Sequence, residues 1–474
     1  MLNLFFCKKI NNCSKSTNFG TRSFFVRTKQ QKIFQACIDY KYIRDNSEEI
    51  KTRCLKRNNK VSLDNISRIV DLYGIYVEHI KLKNNLLNQR NRLTNNIKQA
   101  TANENDVVRK KLIDCASKIK KDIQKVETDL RSTKLELLQL GLTIPNDIHP
   151  LSPIGPEENA KIVKYINSDK QFYISKPKEH TIIADILNLI DFEAAAKTSG
   201  HAFYFLKNEA AIMELALVNY ALEKAINAGW EFVVTPSIVR SEVVSACGFQ
   251  PRDEFNNTQI YFLQCSDKEP THCLSGTSEI LIAGMGINKV LKGRDVPKKT
   301  VGISRVYRSE AGARGKETKG LYRVHEFTKV ELFVWTDPKE SNKMLEDILN
   351  FQESIIEELG LYGRVLDMPT FELGASAYKK YDIEVWMPGR GAWGEVTSCS
   401  NCTDYQTRRL NTRYMAYPGD KLTWPHTLNG TLVAIPRLII AILETYQNND
   451  GSIRIPNVLQ KYMGGMTTIT KKNI

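Results

Sequence analysis

Residues 301–335 read VGISRVYRSE, then AGARGKETKGLY, then RVHEFTKVELFVW: a strand, a glycine-rich loop and a second strand. Side chains alternate across a strand, so Arg308 and Glu310 share one face of the first segment. On the second, Arg323, His325, Phe327, Lys329 and Glu331 share a face, while Val324, Val330, Leu332 and Val334 line the other. One face is therefore apolar and suited to a core. Charges alone on the opposite face would describe a solvated sheet. A phenylalanine among them favours a flat ligand stacked on its ring. Phe327 and Glu331 lie about 13 Å apart along a strand, room for a nucleotide with a small group at its far end.

The wording RSEAGARGKETKGLYRVHEFTKVE resembles motif 2 of the class II aminoacyl-tRNA synthetases, in its seryl-tRNA synthetase form. The resemblance implies an α+β catalytic domain built on an antiparallel sheet, with ATP and an amino acid held by this strand pair.

The 474 residues are 42% apolar, enough for a large core and two domains, and carry a formal charge of +14. No apolar run is long enough for a membrane span. Residues 1–38 hold seven Lys or Arg and no acid, and Asp39 is the first acidic residue. Such a basic, acid-free start reads as a mitochondrial presequence, with a disordered basic tail on a cytoplasmic protein as the alternative. Ten scattered cysteines argue for reduced thiols. Cys399 and Cys402 form a CxxC without a second pair at zinc-ribbon spacing, and read as two ordinary thiols.

From Ser62 to Leu140 the chain is rich in Lys, Asn, Leu and Ile. Leu112, Ala116, Ile119, Ile123, Val126, Leu130, Thr133, Leu137 and Leu140 recur at steps of three and four, a coiled-coil seam. Ile66, Ile69, Tyr73, Val77, Ile80, Leu87, Leu93 and Ile97 form a less regular partner, and Ala100–Asp106 is a polar turn. The pattern predicts an antiparallel helical arm over residues 39–140, projecting roughly 50 Å. Gly141 is expected to close it, and residues 141–156, with four prolines, to form a stiff linker. Removing the presequence and the two arm helices from the charge balance leaves the remaining chain near neutral. Seryl-tRNA synthetases begin with such a hairpin. The resemblance implies a tRNA-binding arm, with Lys81, Lys83, Arg90, Arg92, Lys110, Lys118, Lys121 and Lys125 as candidate phosphate contacts.

Residues 157–474 then form the catalytic domain. HTIIADILNLIDFEAAAKTSGHAFYF (180–205) looks like its beginning in that family. A helix from Glu209 to Ala228, with Ile212, Leu215, Asn219, Leu222 and Ile226 on one side, precedes the strand WEFVVTP and resembles motif 1. The family builds a homodimer there; the residues alone fit a helix packed in its own subunit equally well. CLSGTSEI (273–280) contains the family's TxE loop, although Thr277 or Ser278 could simply cap the helix that follows. No P-loop is present, and Gly284-Met-Gly286 lacks the third glycine of a dinucleotide fingerprint. Residues 341–359 predict an amphipathic surface helix. YDIEVW (381–386) and WGEVTS (393–398) read as strands, with Glu395 and Ser398 offering oxygen ligands suited to Mg²⁺. NGTLVAIPRLIIAILETYQ reads as a loop and a buried helix, with Pro436 in its first turn. Arg437 there resembles the motif 3 arginine. The common form is NGSGLAVGR, and NGTLVAIPR resembles animal mitochondrial members.

The resemblance thus implies a serine- and ATP-dependent ligase acting on serine tRNA through a seryl-adenylate. Arg308 would meet the α-phosphate and serine carboxylate, with Ser309 beside it. Glu310 and Phe327 would take adenine, Arg437 the β/γ-phosphates, and the segment Glu395, Val396, Thr397, Ser398 the ATP, with Glu395 and Ser398 on magnesium. Thr277, Glu279, Glu331 and Thr431 would hold serine, with the division between its amino group and hydroxyl left open. The sequence offers no activated nucleophile, and alignment with charge neutralisation suffices because the serine carboxylate itself attacks phosphorus. An inactive synthetase-derived paralogue acting as a binding partner is the rival reading.

Overall fold

A computed structural model describes residues 34–59, 61–103, 106–169, 176–249, 258–264, 271–310 and 320–472. The expected presequence falls outside the described residues up to residue 33. Residues 34–38 already belong to the body: Phe34 packs against the apolar cluster that includes Phe333 and Trp335, and the Cys37 amide donates to Arg408 O at 2.8 Å.

The architecture is α+β. Two helices dominate the first part, α1 (Val61–Ala102) and α2 (Asp106–Thr143), packed along their length. The seam predicted for α2 holds throughout: each of its nine positions is buried or half-buried, while most residues between them face water. In α1, Ile66, Ile69 and Leu72 are buried at the base of the arm with Leu137 and Ile144. Gly141 does not end α2, which runs on to Thr143. A Cβ at Gly141 would come within 2.8 Å of Ile38 Cδ1, so glycine serves close packing there rather than a turn. Nor is the following segment a free spacer. The Asn146 amide donates to Ala375 O and the His149 amide to Tyr378 O, tying it to the body. Arg57, buried, donates to four carbonyls, of Asn146, Asp147, Gly374 and Ala377, and fastens the same junction.

The body is built on an eight-stranded sheet: β1 (Lys161–Ile166), β2 (Glu231–Val234), β3 (Lys298–Tyr307), β4 (Glu326–Thr336), β5 (Gly363–Asp367), β6 (Lys379–Met387), β7 (Ala392–Thr403) and β8 (His426–Ala434). Their spatial order is β1-β5-β6-β7-β8-β4-β3-β2, antiparallel except for the β3–β2 pair at one edge. The segment expected as a loop before Arg437 is therefore a central strand, β8. It pairs with both β4 and β7.

One sheet face is apolar, as the alternation in β4 requires. Val330, Leu332 and Val334 are fully buried there with Ile383, Val385, Val396, Cys399 and Leu432. Three helices cover this face: α3 (Asn208–Asn227), α5 (Ser341–Glu358) and α6 (Ile435–Thr445), with the short α4 (Ser278–Gly284) elsewhere on the sheet. α6 is buried almost all round, as expected. α5 does more than lie on the surface: Met344, Leu345, Ile348, Leu349, Ile355 and Ile356 close the core, and Gln352 reaches the Ser398 and Thr431 carbonyls at 2.8 and 2.7 Å. In α3 the buried side is Met213, Ala216, Leu217, Tyr220 and Ala221, whereas Ile212, Leu215 and Ile226 face outward. The opposite sheet face carries the polar residues.

Candidate active site

The polar face is centred on β4. Phe327, Lys329 and Glu331 project from it, and further along Phe333 and Trp335 close that end beneath α4. β3 stops at Tyr307, so Arg308 and Glu310 lie just past its end rather than on it. Two bonds hold this exit: the Arg308 amide donates to His325 O at 2.9 Å, and His325 Nδ1 lies 3.0 Å from Arg308 O. Glu310 has φ +41°, a left-handed backbone that costs a non-glycine residue about 1 kcal/mol or more and is concentrated at functional sites. Its carboxylate lies 3.8 Å from Arg323. Ser309 turns away, donating to Thr258 O at 3.0 Å.

Arg308 and Arg437 lie close enough for each charge to act on the other. The Arg308 guanidinium lies 5.6 Å from the Phe327 ring centroid. Arg437 Nη1 donates to Glu395 at both its carbonyl (2.8 Å) and carboxylate (3.1 Å), and its guanidinium lies 4.7 Å from the Tyr322 ring centroid. Electrostatics link the same groups. Burial lowers the Arg308 pKa, and Arg437 lowers it further against the pull of Glu310, Glu395 and Glu331. Burial would raise Glu395, but Arg437, Lys380 and Arg308 outweigh it and hold the carboxyl at about 2. Among the described residues, Arg308 Nε is buried without a hydrogen-bond partner. A buried guanidinium N–H of this kind suits an anion.

Glu395 and Ser398 are three apart, a spacing that puts side chains on opposite faces of a regular strand. β7 has a bulge here: Thr397 pairs with Ile383 while Glu395 pairs with Glu384, leaving Val396 extra. Val396 and Cys399 are in the core, so Glu395 and Ser398 both fall on the polar side. Thr397 is buried with its hydroxyl on Thr431 O. Val396 and Thr397 can therefore meet a ligand only through their backbone. Neighbouring β6 adds two residues that sequence reasoning missed, Lys380 and Asp382, paired at 2.7 Å. Burial pushes the Asp382 carboxyl up to about 7 against the Lys380 charge.

Beside these arginines lies a second cluster, formed by Thr277, Glu279, Glu331 and Thr431. Thr277 does cap α4, with the Glu279 amide 3.4 Å from its hydroxyl. Its side chain also receives Lys329 Nζ at 3.4 Å. Lys329 is ion-paired with Glu331. Glu331 stands opposite Thr431 where β8 bulges. Glu279 accepts from Gln406 at 2.6 Å and Asn429 at 2.9 Å. Burial, with Glu331 nearby, pushes Glu279 up to about 7; burial raises Glu331 as well, opposed by Lys329 and Arg308. Lys329 shared the polar face in the sequence, whereas Gln406 and Asn429 gave no local signal. Cys399 and Cys402 are both buried, and burial pushes both thiols up, which leaves them unreactive.

The arm carries its candidates outward. Lys81, Arg90, Arg92, Lys110, Lys118, Lys121 and Lys125 are exposed, while Lys83 pairs with Glu127 across the two helices at 2.8 Å. Among the described residues no helix is long and apolar enough to cross a membrane.

Comparison with known proteins agrees with each half of this description. Residues 37–148 match the seryl-tRNA synthetase N-terminal domain, and residues 261–446 match the tRNA synthetase class II core domain (G, H, P, S and T). The chain is 43% identical over 454 residues to a mitochondrial serine–tRNA ligase of Schizosaccharomyces pombe, covering 94% of this chain and 91% of that one. It is 41% identical over 461 residues to the mitochondrial serine–tRNA ligase of Saccharomyces cerevisiae, covering 95% and 98%. The crystal structure of seryl-tRNA synthetase from Pyrococcus horikoshii complexed with ATP superposes with a TM-score of 0.82 at 36% identity, covering 92% of this chain and all of that one. With the polar sheet face, its two clusters and the helical arm in place, the chain belongs to the seryl-tRNA synthetases, class II ligases that join serine to its tRNA.

Proposed function

We propose that the chain activates serine with ATP as seryl-adenylate and passes the acyl group to serine tRNA for mitochondrial translation. One observation carries this reading: Arg308, whose buried Nε has no hydrogen-bond partner among the described residues, and the Glu395-bound Arg437 lie within electrostatic reach of each other, next to a cluster of buried carboxylates and hydroxyls. Serine lies with its ammonium toward Thr277 and Glu279 and its hydroxyl toward Glu331 and Thr431. Its carboxylate faces Arg308, which also neutralises charge on the α-phosphate as the carboxylate oxygen attacks. The bond to the β-phosphate breaks and pyrophosphate leaves along Arg437. Phe327 stacks on adenine, and Glu310 meets its amino edge. Hydrogen-bonding the serine hydroxyl rejects alanine, because its loss leaves buried polar groups unpaired.

The donor set of Glu395 and Ser398 is hard oxygen. Among the described residues no group of three or more His, Cys, Asp or Glu side chains is placed to hold a metal ion. Magnesium suits such a site, since it keeps several waters and takes one or two carboxylates with phosphates. Bound there, it would screen the charge of the phosphates.

Three further elements follow. The exposed basic side chains of α1 and α2 bind tRNA phosphates. The outward Ile212, Leu215 and Ile226 of α3 lie with the edge strand β2, whose Phe232 and Val234 are also exposed. An apolar patch along an unpaired strand edge fits a homodimer interface. The targeting segment ends before Phe34, because Phe34 and Cys37 are built into the body.

Pyrophosphate exchange with serine, alanine and threonine tests the reading. Exchange with serine alone is expected, abolished by Arg308→Ala in a chain that keeps its association state. Retained exchange in that variant overturns the role given to Arg308, whereas a parent chain without exchange favours an inactive paralogue that keeps the fold and not the chemistry.

A further inference from the structure

Tyr322 carries two guanidinium groups, and an acid answers only one of them. Arg390 lies 3.7 Å from the ring centroid and Arg437 4.7 Å, so the two are separated by no more than the sum of those distances. Arg437 is paired with Glu395. Among the described residues no carboxylate pairs with Arg390, and its Nε is buried without a hydrogen-bond partner. A half-buried cation without a counter-ion is costly, and cation–π contact offsets only part of that cost.

The position of Arg390 is built rather than incidental. Its amide donates to Glu444 Oε2 at 3.0 Å. Glu444 is fully buried in α6, two turns beyond Arg437, and its other oxygen accepts from the His180 amide at 3.0 Å and lies 3.1 Å from His180 Nδ1. His180 Nε2 in turn accepts from the Leu321 amide at 3.2 Å. With Nε2 an acceptor, Nδ1 carries the proton and donates to Glu444. Gly320 permits this approach: it has φ +67°, and a Cβ there would lie 2.1 Å from His180 Nε2. Glu444 thus ties together the turn bearing Arg390, the helix bearing Arg437 and the backbone leading into Tyr322. The stretch that opens the catalytic domain supplies the pin.

We propose that Arg390 is a second polyphosphate-binding residue, held beside Arg437 by Tyr322, and that it grips the end of ATP that departs as pyrophosphate. This rests on the ATP reading of the site given above. A merely structural Arg390, packed on Tyr322 for its shape, would respond alike to nucleotides with and without the β- and γ-phosphates.

The test compares Arg390→Ala, Arg390→Lys and Arg437→Ala in the full chain, by pyrophosphate exchange and by thermal stabilisation with ATP and with AMP. For Arg390→Ala the KM for ATP should rise about 10- to 100-fold, with the KM for serine within about twofold of the parent's. Stabilisation by ATP should shrink and stabilisation by AMP persist. Arg390→Lys should recover part of the loss, since it keeps the charge without the fork. An unchanged ATP response, or equal losses for ATP, AMP and serine, overturns the proposal. Should Arg390→Ala fail to fold, Arg390→Lys decides, because a parent-like ATP response there is equally fatal. If Arg437→Ala also leaves the ATP response intact, the polyphosphate reading of the site fails, not Arg390 alone.

Discussion

Arg437 Nη1 donates to Glu395 twice, to its carbonyl at 2.8 Å and to its carboxylate at 3.1 Å. The pair joins the first turn of α6 to the bulge of β7. The cation assigned to triphosphate thus rests on the carboxylate assigned to metal. On the roles proposed above, a nucleotide would exchange this ion pair for two others, phosphate with Arg437 and metal with Glu395.

Glu395→Gln separates the two halves of that exchange. It keeps the shape, removes a negative charge beside the phosphates and weakens the metal ligand. With magnesium chelated, the variant should bind ATP about tenfold more tightly, since one repulsion has gone. With magnesium present, its exchange activity should fall about 100-fold. Calorimetric titration of ATP with and without magnesium, beside the exchange rate, checks both signs.

Glu279 sets a pH dependence. Its folded pKa, pushed up to about 7 mainly by burial, lies above the ordinary 4.5. A raised carboxyl pKa means that the folded chain binds the proton more tightly than the unfolded one. The group's contribution to stability is therefore present below about 4.5 and lost as pH rises through about 7. Serine binding has the opposite sign, because an ammonium requires the ionised carboxylate. The KM for serine should fall about tenfold per pH unit on rising toward 7 and level off above it. Glu279→Gln should flatten this profile, and exchange kinetics between pH 6 and 8 with the two chains decide it.

Lys329 and Glu331 are both buried, and each is the other's counter-charge. Lys329→Met should leave an unpaired carboxylate in the sheet and cost about 3–5 kcal/mol. Replacing both residues with Met should recover most of that loss while abolishing serine binding. Denaturant unfolding of the parent, the single and the double variant measures the coupling. Equal stability in the single variant would mean that Glu331 is held neutral.

Much of this site was legible because β4 is regular. Val330, Leu332 and Val334 face the core and Phe327, Lys329 and Glu331 the polar side, as a period of two demands. The seam of α2 was legible for the same reason, with a period of three and four. Irregular backbone was not. A bulge at Val396 puts Glu395 and Ser398 on one face, although their odd spacing argues against it. Extending the first strand through Glu310 missed its end at Tyr307, since Arg308 is turned by bonds to His325, seventeen residues away. Gln406 and Asn429 come to Glu279 from more than a hundred residues off, through sheet topology that no local pattern encodes. In α3 the stripe Ile212, Leu215, Ile226 has good helical spacing but is the outward one. A helix apolar on two sides does not say which side its own subunit covers.

The arm separates charge from catalysis. Lys118, Lys121 and Lys125 lie on α2 in the solvent, away from the seam formed by Ile119, Ile123 and Val126. Substituting all three with Glu leaves the seam packing in place, so the thermal transition should stay within a few degrees of the parent's. Exchange activity needs no tRNA and should be unchanged. Aminoacylation should show a KM for serine tRNA raised about 10-fold or more at low salt. Each lysine–phosphate pairing removed should also reduce the slope of log affinity against log salt by about 0.7–0.9. A steric fault would behave differently, weakening binding equally at every salt concentration. Lys83→Gln offers the internal contrast: its charge is already committed to Glu127 across the hairpin, so it should alter the salt slope little. Filter binding of serine tRNA between 50 and 200 mM salt, about the range over which such slopes are read, distinguishes a phosphate-binding face from a merely solvated one.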